Sequence, residues 1–433
     1  MLFYNEGKDN MMSAAGLLDV NPLSEAADIL LADVAIRIQL SQTNYTKLVD
    51  RYETINRWIE RPGSPLEGRV TLFYPHGSMA IGATIASRLR TDEFDADTIA
   101  QLGLPREVPP RLALDLLYLS IRGEPGSRYY DMTRRQTRCV TVDYDDDMHI
   151  DVTPAVRLFE RPERMSFVFH SKPDAPGAPE YHVPANPYGF AEWFKSNTPL
   201  DRDFANIFER RAADYELRIL AEKADSEDLP PRVPPFRKSK AVIVLQLLKR
   251  WRNVRYDNRQ GRRPPSPVIA KLIADAANHT HRLSEELLLQ ASHMLEQFRF
   301  WHQAGLRIHI VNPVPGCGDD VFTDRWPASL HDQVVFISDL EDLVRKVEQL
   351  VAGCDLAQMR EIMTDLFGEA PTSDVFKAFN QREVGGSISA GRSYHLPGAG
   401  RLGLAAAGVA APAMLPVARP TRAHTFFGGD DVQ

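Results

Sequence analysis

Apolar side chains are dense between Leu23 and Glu60 and recur every three or four positions. They are Leu30, Leu31, Val34, Ile36, Ile38 and Leu40, then Leu48, Tyr52, Ile55 and Ile59. That spacing predicts a helical segment. Arg61-Pro62-Gly63-Ser64-Pro65 ends it, since prolines and glycine punctuate regular structure. Strands are predicted at 69–74 and 94–102. A helix over 108–122 carries Leu112, Leu114, Leu116, Leu117 and Leu119, and strands at 137–144 and 148–153 flank Asp145-Asp146-Asp147. From Asp201 onward the periodicity is helical: 204–224, 240–255, 267–278, 283–305 and 330–352. Pro230-Pro231-Arg232-Val233-Pro234-Pro235 and Arg262-Arg263-Pro264-Pro265 read as connectors. The pattern predicts an α/β or α+β half, a helical half and a cleft between them.

Past Arg382 large apolar groups become scarce and Gly, Ala and Pro take over. Such a segment buries too little surface to offset its ordering entropy, so a mobile tail is expected. At 433 residues the chain has ample length for two or three domains. It carries 51 Lys and Arg against 58 Asp and Glu, and a net charge of −7 argues against a dedicated nucleic-acid coat. Cys139, Cys317 and Cys354 are too far apart for a zinc ribbon or a disulfide framework. The chain opens without a basic stretch followed by an apolar one, which argues against a secretory signal. No run of about 18 apolar residues suggests a membrane span. A reducing cytoplasmic setting is the simplest expectation.

The chemistry concentrates around His76-Gly77-Ser78 and Asp95-Ala96-Asp97. Strand side chains alternate faces, so Asp95 and Asp97 point the same way. In His149-Ile150-Asp151-Val152-Thr153, Ile150 and Val152 take the core face and leave Asp151 on the open one. Asp143, Asp145, Asp146 and Asp147 read instead as a solvated hairpin turn. Three carboxylates beside a small turn that admits a phosphate suit nucleotidyl transfer assisted by two Mg²⁺ ions, for which oxygen ligands suffice. The bland alternative for Asp95 and Asp97 is an edge strand protected by charge. Trp193, Trp251, Trp301 and Trp326 are read as core packing.

Gly77-Ser78, Asp95-x-Asp97 and Ile150-Asp151-Val152-Thr153-Pro154 together resemble the polymerase-β-type nucleotidyltransferase superfamily. More narrowly, the chain resembles the bacterial cGAS/DncV-like nucleotidyltransferases, which make cyclic oligonucleotide messengers in anti-phage defence. Asn186 to Phe194, Leu247 to Arg252, Asn312-Pro313 and Phe322 to Trp326 are similar to later family segments. The resemblance implies an α+β, bilobal fold. Residues 1–60 would brace both lobes, 61–200 form the catalytic core, 201–380 the α-helical lobe and 381–433 a flexible tail. It implies that Asp95, Asp97 and Asp151 are catalytic and hold Mg²⁺, with Mn²⁺ as a substitute. Gly77, Ser78, Asn186, Lys249 and Ser266 would contact nucleotide. ATP and a second NTP would be joined into a cyclic di- or trinucleotide sensed by a downstream effector, without membrane or obligatory nucleic acid. For Lys249 the residues alone also allow a solvated helix face, and for Asn186 a turn. Gly428 and Gly429 suggest tail conjugation by a ubiquitin-transfer-like partner after trimming of Asp430 to Gln433. The competing functions are nucleotide transfer to RNA, protein or a small molecule, and a catalytically inactive nucleotide-binding module.

Overall fold

The computed structural model describes residues 23, 25–85, 94–158, 162–175, 177–223, 237–277, 282–381, 393–396 and 401–404. The side chains of Gln42, Asp95, 218–223, 393–396 and 401–404 lie outside that description. The chain divides into two units, Met1–Ser373 and Asp374–Gln433.

The first unit opens with α1 (Ala26–Ile38) and α2 (Gln42–Ile59). The apolar run predicts one helical segment here. The structure breaks it because Gln39 bridges to Ile85 and the Ser41 hydroxyl caps α2, accepting from Asn44 N–H at 3.2 Å. There follow β1 (Val70–Pro75), the short α3 (Gly77–Ala80), β2 (Phe94–Leu102) and α4 (Pro110–Arg122). Five more strands come next: β3 (Thr133–Arg135), β4 (Val140–Asp143), β5 (Met148–Arg157), β6 (Ser166–His170) and β7 (Tyr181–Ala185). The sheet runs β1-β2-β5-β4-β3, with β6 joining β5 to β7. Among the described strands only β2 and β5 pair in parallel, and Asp97 stands opposite Asp151 in their register. The period-two pattern of β5 is realised: Ile150 and Val152 are fully buried and Asp151 faces the open side. Asp145 to Asp147 form the turn between β4 and β5, as the sequence suggests, with Asp147 in the left-handed region at φ 60°.

The helices are α5 (Pro187–Asn197), α6 (Arg202–Lys223), α7 (Lys240–Tyr256), α8 (Ser266–Ala276), α9 (Leu283–Gln303), α10 (Leu330–Ala352), α11 (Leu356–Phe367) and α12 (Glu369–Phe379). The fold is α+β, as expected. Helix α7 is the hub: every residue from Lys240 to Asn253 is buried, so it packs on all sides instead of presenting an amphipathic stripe. In the second unit β8 (Ser393–Leu396) pairs antiparallel with β9 (Arg401–Leu404). The sequence pattern assigns no strands to this segment. Gly428 and Gly429 lie outside the described residues.

Candidate active site

The ends of β1, β2 and β5 converge on a cavity of about 970 Å³ whose wall includes Gly77, Ser78, Asp97, Asp151, Lys249 and Ser266. Six of the eight residues singled out as catalytic or nucleotide-binding thus face one space. That volume sits at the upper end of the usual range for small-molecule sites.

Strand β1 is pinned to β2 where His76 N–H donates to the Asp97 carbonyl at 2.9 Å. The chain then turns through Gly77 at φ +56°, a left-handed conformation that favours glycine. A Cβ on Gly77 would stand 2.5 Å from Asp97 Oδ2, so the turn and the carboxylate are in intimate contact. Asp151 Oδ1 accepts from Thr141 Oγ1 at 2.5 Å across the antiparallel β4–β5 pair, in which the two residues are direct partners. That bond fixes the rotamer of the carboxylate. Asp95 occupies β2 opposite His149, two residues before Asp97 and therefore on the same face, but its side chain lies outside the description.

The dense acidity marks the neighbours. Burial pushes the Cys139 thiol well above its ordinary pKa, and the charges of Asp151 and Asp97 add to the rise. Burial pushes His76 down to about 4, with Asp151 acting in the opposite sense, and His76 Nε2 is buried without a hydrogen-bond partner. Among the described residues no group of three His, Cys, Asp or Glu side chains is arranged to hold a metal ion. Asp97 and Asp151 nonetheless form a hard oxygen donor pair. This donor chemistry fits Mg²⁺.

Lys249 is 5% exposed, which overturns the solvated-face alternative. Its ammonium reaches from α7 to the turn, donating to Ser78 Oγ and to the Ala83 carbonyl, each at 2.8 Å. Ser266 opens α8 and accepts from Arg252 Nη1 at 3.0 Å, while the same nitrogen donates to the Pro264 carbonyl at 2.8 Å. Asn186 takes the turn role that its Asn-Pro sequence allows. Its Oδ1 accepts from Gly189 N–H at 2.7 Å, capping α5, and its Nδ2 donates to the Glu163 carbonyl at 3.1 Å. Both ends of the amide are engaged in local structure, and the cavity wall takes its neighbours Ala185 and Pro187 instead. The turn signal of Asn-Pro outweighs base reading at this position.

Sequence reasoning assigns no role to Thr141, Arg138 or Arg325. Thr141 had a legible signal, since it lies on the strand preceding Asp151. Arg138 and Arg325 are far apart in sequence and meet at the cavity wall only through the fold. Trp251 and Trp326 are buried as core residues, as expected, although Trp326 also touches the cavity.

Residues 29–195 match the family described as Second Messenger Oligonucleotide or Dinucleotide Synthetase domain. The chain is 37% identical over 412 residues to the cyclic dinucleotide synthase CdnG of Bradyrhizobium diazoefficiens, covering 94% of this chain and 96% of that one. It is 23% identical over 420 residues to a c-di-GMP synthase of Roseivirga ehrenbergii, with 95% and 100% covered. A solved structure of the Bradyrhizobium diazoefficiens CdnG in complex with GTP matches with a TM-score of 0.72 and 36% identity, covering 83% of this chain and 100% of that chain. The family match over residues 29–195, with 37% identity across 94% of the chain to a cyclic dinucleotide synthase, places the chain in the cGAS/DncV-like nucleotidyltransferase family, and it is an enzyme of the cyclic oligonucleotide synthase class.

Proposed function

We propose that the protein joins two nucleoside triphosphates, GTP among them, into a cyclic dinucleotide and releases two pyrophosphates. The observation that carries this is the facing of Asp97 and Asp151 across the β2–β5 pair, with the Gly77-Ser78 turn packed against Asp97. GTP is favoured by the similarity to a CdnG solved with GTP and to a c-di-GMP synthase. Pairing with ATP remains the alternative product.

Two Mg²⁺ ions held by Asp95, Asp97 and Asp151 would supply charge neutralisation at the attacking hydroxyl and at the leaving pyrophosphate. The Gly77-Ser78 turn presents backbone N–H groups and a hydroxyl to the triphosphate. Lys249 places its cation beside that hydroxyl, where a polyphosphate has most need of it. Thr141 holds the Asp151 carboxylate in one orientation while Asp151 takes part in removing the ribose hydroxyl proton. The hydroxyl oxygen forms a bond to the α-phosphorus of a second nucleotide, and the bond to the β-phosphate oxygen breaks. A second, intramolecular transfer closes the ring. The product acts as an anti-phage messenger read by a downstream effector in the cytoplasm. No described helix is long and apolar enough to cross a membrane.

The test incubates the purified protein with the four labelled NTPs and Mg²⁺, then phosphatase, and separates the products. A phosphatase-resistant small product containing guanine is expected, lost on chelation and restored by Mg²⁺ or Mn²⁺. Asp151→Asn should abolish it without lowering Tm. Label transferred to macromolecules, or no product with any NTP, overturns the reading.

A further inference from the structure

The cavity lining also carries Arg138, Asp324 and Arg325. Behind them stands His170, the last residue of β6, which is not itself on the wall. Its Nδ1 is approached by two guanidinium groups at once: Arg325 Nη2 at 2.7 Å and Arg138 Nε at 3.3 Å. Arginine is a donor only and does not lose its proton in proteins. Both contacts are therefore satisfied only if Nδ1 is the bare acceptor of a neutral imidazole with its proton on Nε2.

The ring is held for this task. His170 and Tyr181 are direct partners in the β6–β7 register, and their rings stack at 4.4 Å between centroids with 10° between planes. The next residue, Ser171, donates its N–H to the Thr137 carbonyl at 3.0 Å, fixing the end of β6 against the residue that precedes Arg138. Asp324 completes the cluster, accepting from Arg138 Nη2 at 2.5 Å and lying 3.8 Å from Arg325 Nε. Two like charges at the same wall repel each other, and burial together with Arg138 lowers the pKa of Arg325. Asp320 also lies near Arg138, but burial raises its pKa and so disfavours its charge; two cations gathered at the edge of a cavity suit an anionic ligand.

We infer that His170 is a positioning residue, whose Nδ1 holds Arg138 and Arg325 together so that both guanidiniums meet a phosphate group of a bound nucleotide. The inference rests on the reading of the cavity as a nucleoside triphosphate site and adds to it a second phosphate contact, apart from the Ser78–Lys249 pair. It also makes that contact sensitive to protons. Burial lowers the pKa of His170, as do Arg325, Arg138 and Lys172, while Asp324 opposes them. A group whose pKa is depressed stays neutral through physiological pH. The acceptor is lost only as pH falls below the ordinary histidine range of about 6.5. Protonation would turn Nδ1 into a donor facing two donors, and the arginines would part.

The experiment measures GTP affinity of the full chain by calorimetry between pH 5 and 8, without turnover, using a non-hydrolysable GTP analogue. Two variants accompany the wild type. His170→Phe keeps a ring to stack on Tyr181 but offers no acceptor, and affinity should fall about tenfold at pH 8, the worth of one charge-assisted hydrogen bond. His170→Asn places an amide oxygen near the position of Nδ1, so it should rescue affinity at pH 8. Relative to wild type it should also lose less affinity on acidification. The ligand's own phosphate titration is common to both proteins and cancels in that comparison. In kinetics, His170→Phe should raise KM for GTP and leave kcat largely intact, a split that general destabilisation does not produce. Affinity of His170→Phe equal to wild type, or identical pH profiles for wild type and His170→Asn, overturns the inference alone. A wild type that binds no nucleotide at any pH overturns the nucleotide reading and this inference with it.

Discussion

Replacing Gly77 by alanine separates backbone strain from damage to the site. The residue sits at φ +56°, where a side chain costs about 1–2 kcal/mol. The added Cβ would lie 2.5 Å from Asp97 Oδ2, 3.1 Å from its Cγ and 3.3 Å from its Cβ. Carbon contacts settle at about 3.5 Å or more, so the Asp97 carboxylate must retreat by about 1 Å. Displacements of about 1 Å in catalytic geometry cost about a hundredfold in rate. Gly68 supplies the control: its φ is +62°, but nothing lies within 4 Å of the position a Cβ would take. Gly77→Ala and Gly68→Ala should therefore show similar, small losses in Tm, with only Gly77→Ala losing about a hundredfold in kcat. The assay is pyrophosphate release from GTP and Mg²⁺ alongside thermal unfolding of each variant. Wild-type kcat in Gly77→Ala would refute the argument that this turn and Asp97 form one catalytic unit. Equal loss of activity in both variants would also refute it, by pointing to strain alone.

Lys249→Met removes the cation that bridges Ser78 and the Ala83 carbonyl. It should reduce kcat/KM for GTP by at least about tenfold, with arginine failing to rescue because its planar fork replaces a compact ammonium. Unchanged kcat/KM would remove Lys249 from the triphosphate site. Lys238 provides a stability prediction. Burial lowers its pKa to about 7, and its ammonium donates to Gln39 Oε1 at 2.5 Å. Between pH 7 and about 10.4 the unfolded chain holds more protons at this site than the folded one, so the site's contribution to stability rises with pH there. Below pH 7 the full cost of burying the charge is present. The Tm advantage of Lys238→Met over wild type should shrink between pH 7 and 9; an advantage that grows would contradict the assigned direction.

The acidic pattern was legible because it is local. Alternation along five residues places Asp151 opposite Ile150 and Val152, and an i, i+2 spacing puts Asp95 and Asp97 on one face. Their convergence was expected from the needs of a two-metal site and from the family resemblance, and the β2–β5 register sets Asp97 opposite Asp151. β2 and β5 pair in parallel only after the chain has passed through α4, β3 and β4, and no short-range pattern encodes that crossover. At Asn186 the cap is local, and the Asn-Pro helix start is readable from two residues. The strands β3, β6 and β7 are short and carry Arg, Ser, His and Pro, so their periodicity is weak. The tail hairpin escaped because composition gives an entropy argument but says nothing about backbone pairing between 393–396 and 401–404.

Helix α7 shows why net charge is a poor guide to this site. A net charge of −7 argues against a dedicated nucleic-acid coat and says nothing about a small basic pocket. Yet α7 carries Lys249, Arg250 and Arg252, each no more than 5% exposed, in the middle of the helical region. Burying a cation is costly unless its donors are bonded. The fold meets that requirement with carbonyls from three distant places: Ala83 for Lys249, Phe367 for Arg250 and Pro264 for Arg252. Further along the helix carboxylates take over this role, where Arg255 meets Asp342 and Asp365. The cations of α7 thus tie the turn before β2, the start of α8 and the end of α11 into one frame. That arrangement also explains why the periodicity of α7 reads as a basic helix in sequence and as a fully buried one in structure. The partners that make burial tolerable lie 12 to 166 residues away, beyond the reach of any pattern within the helix.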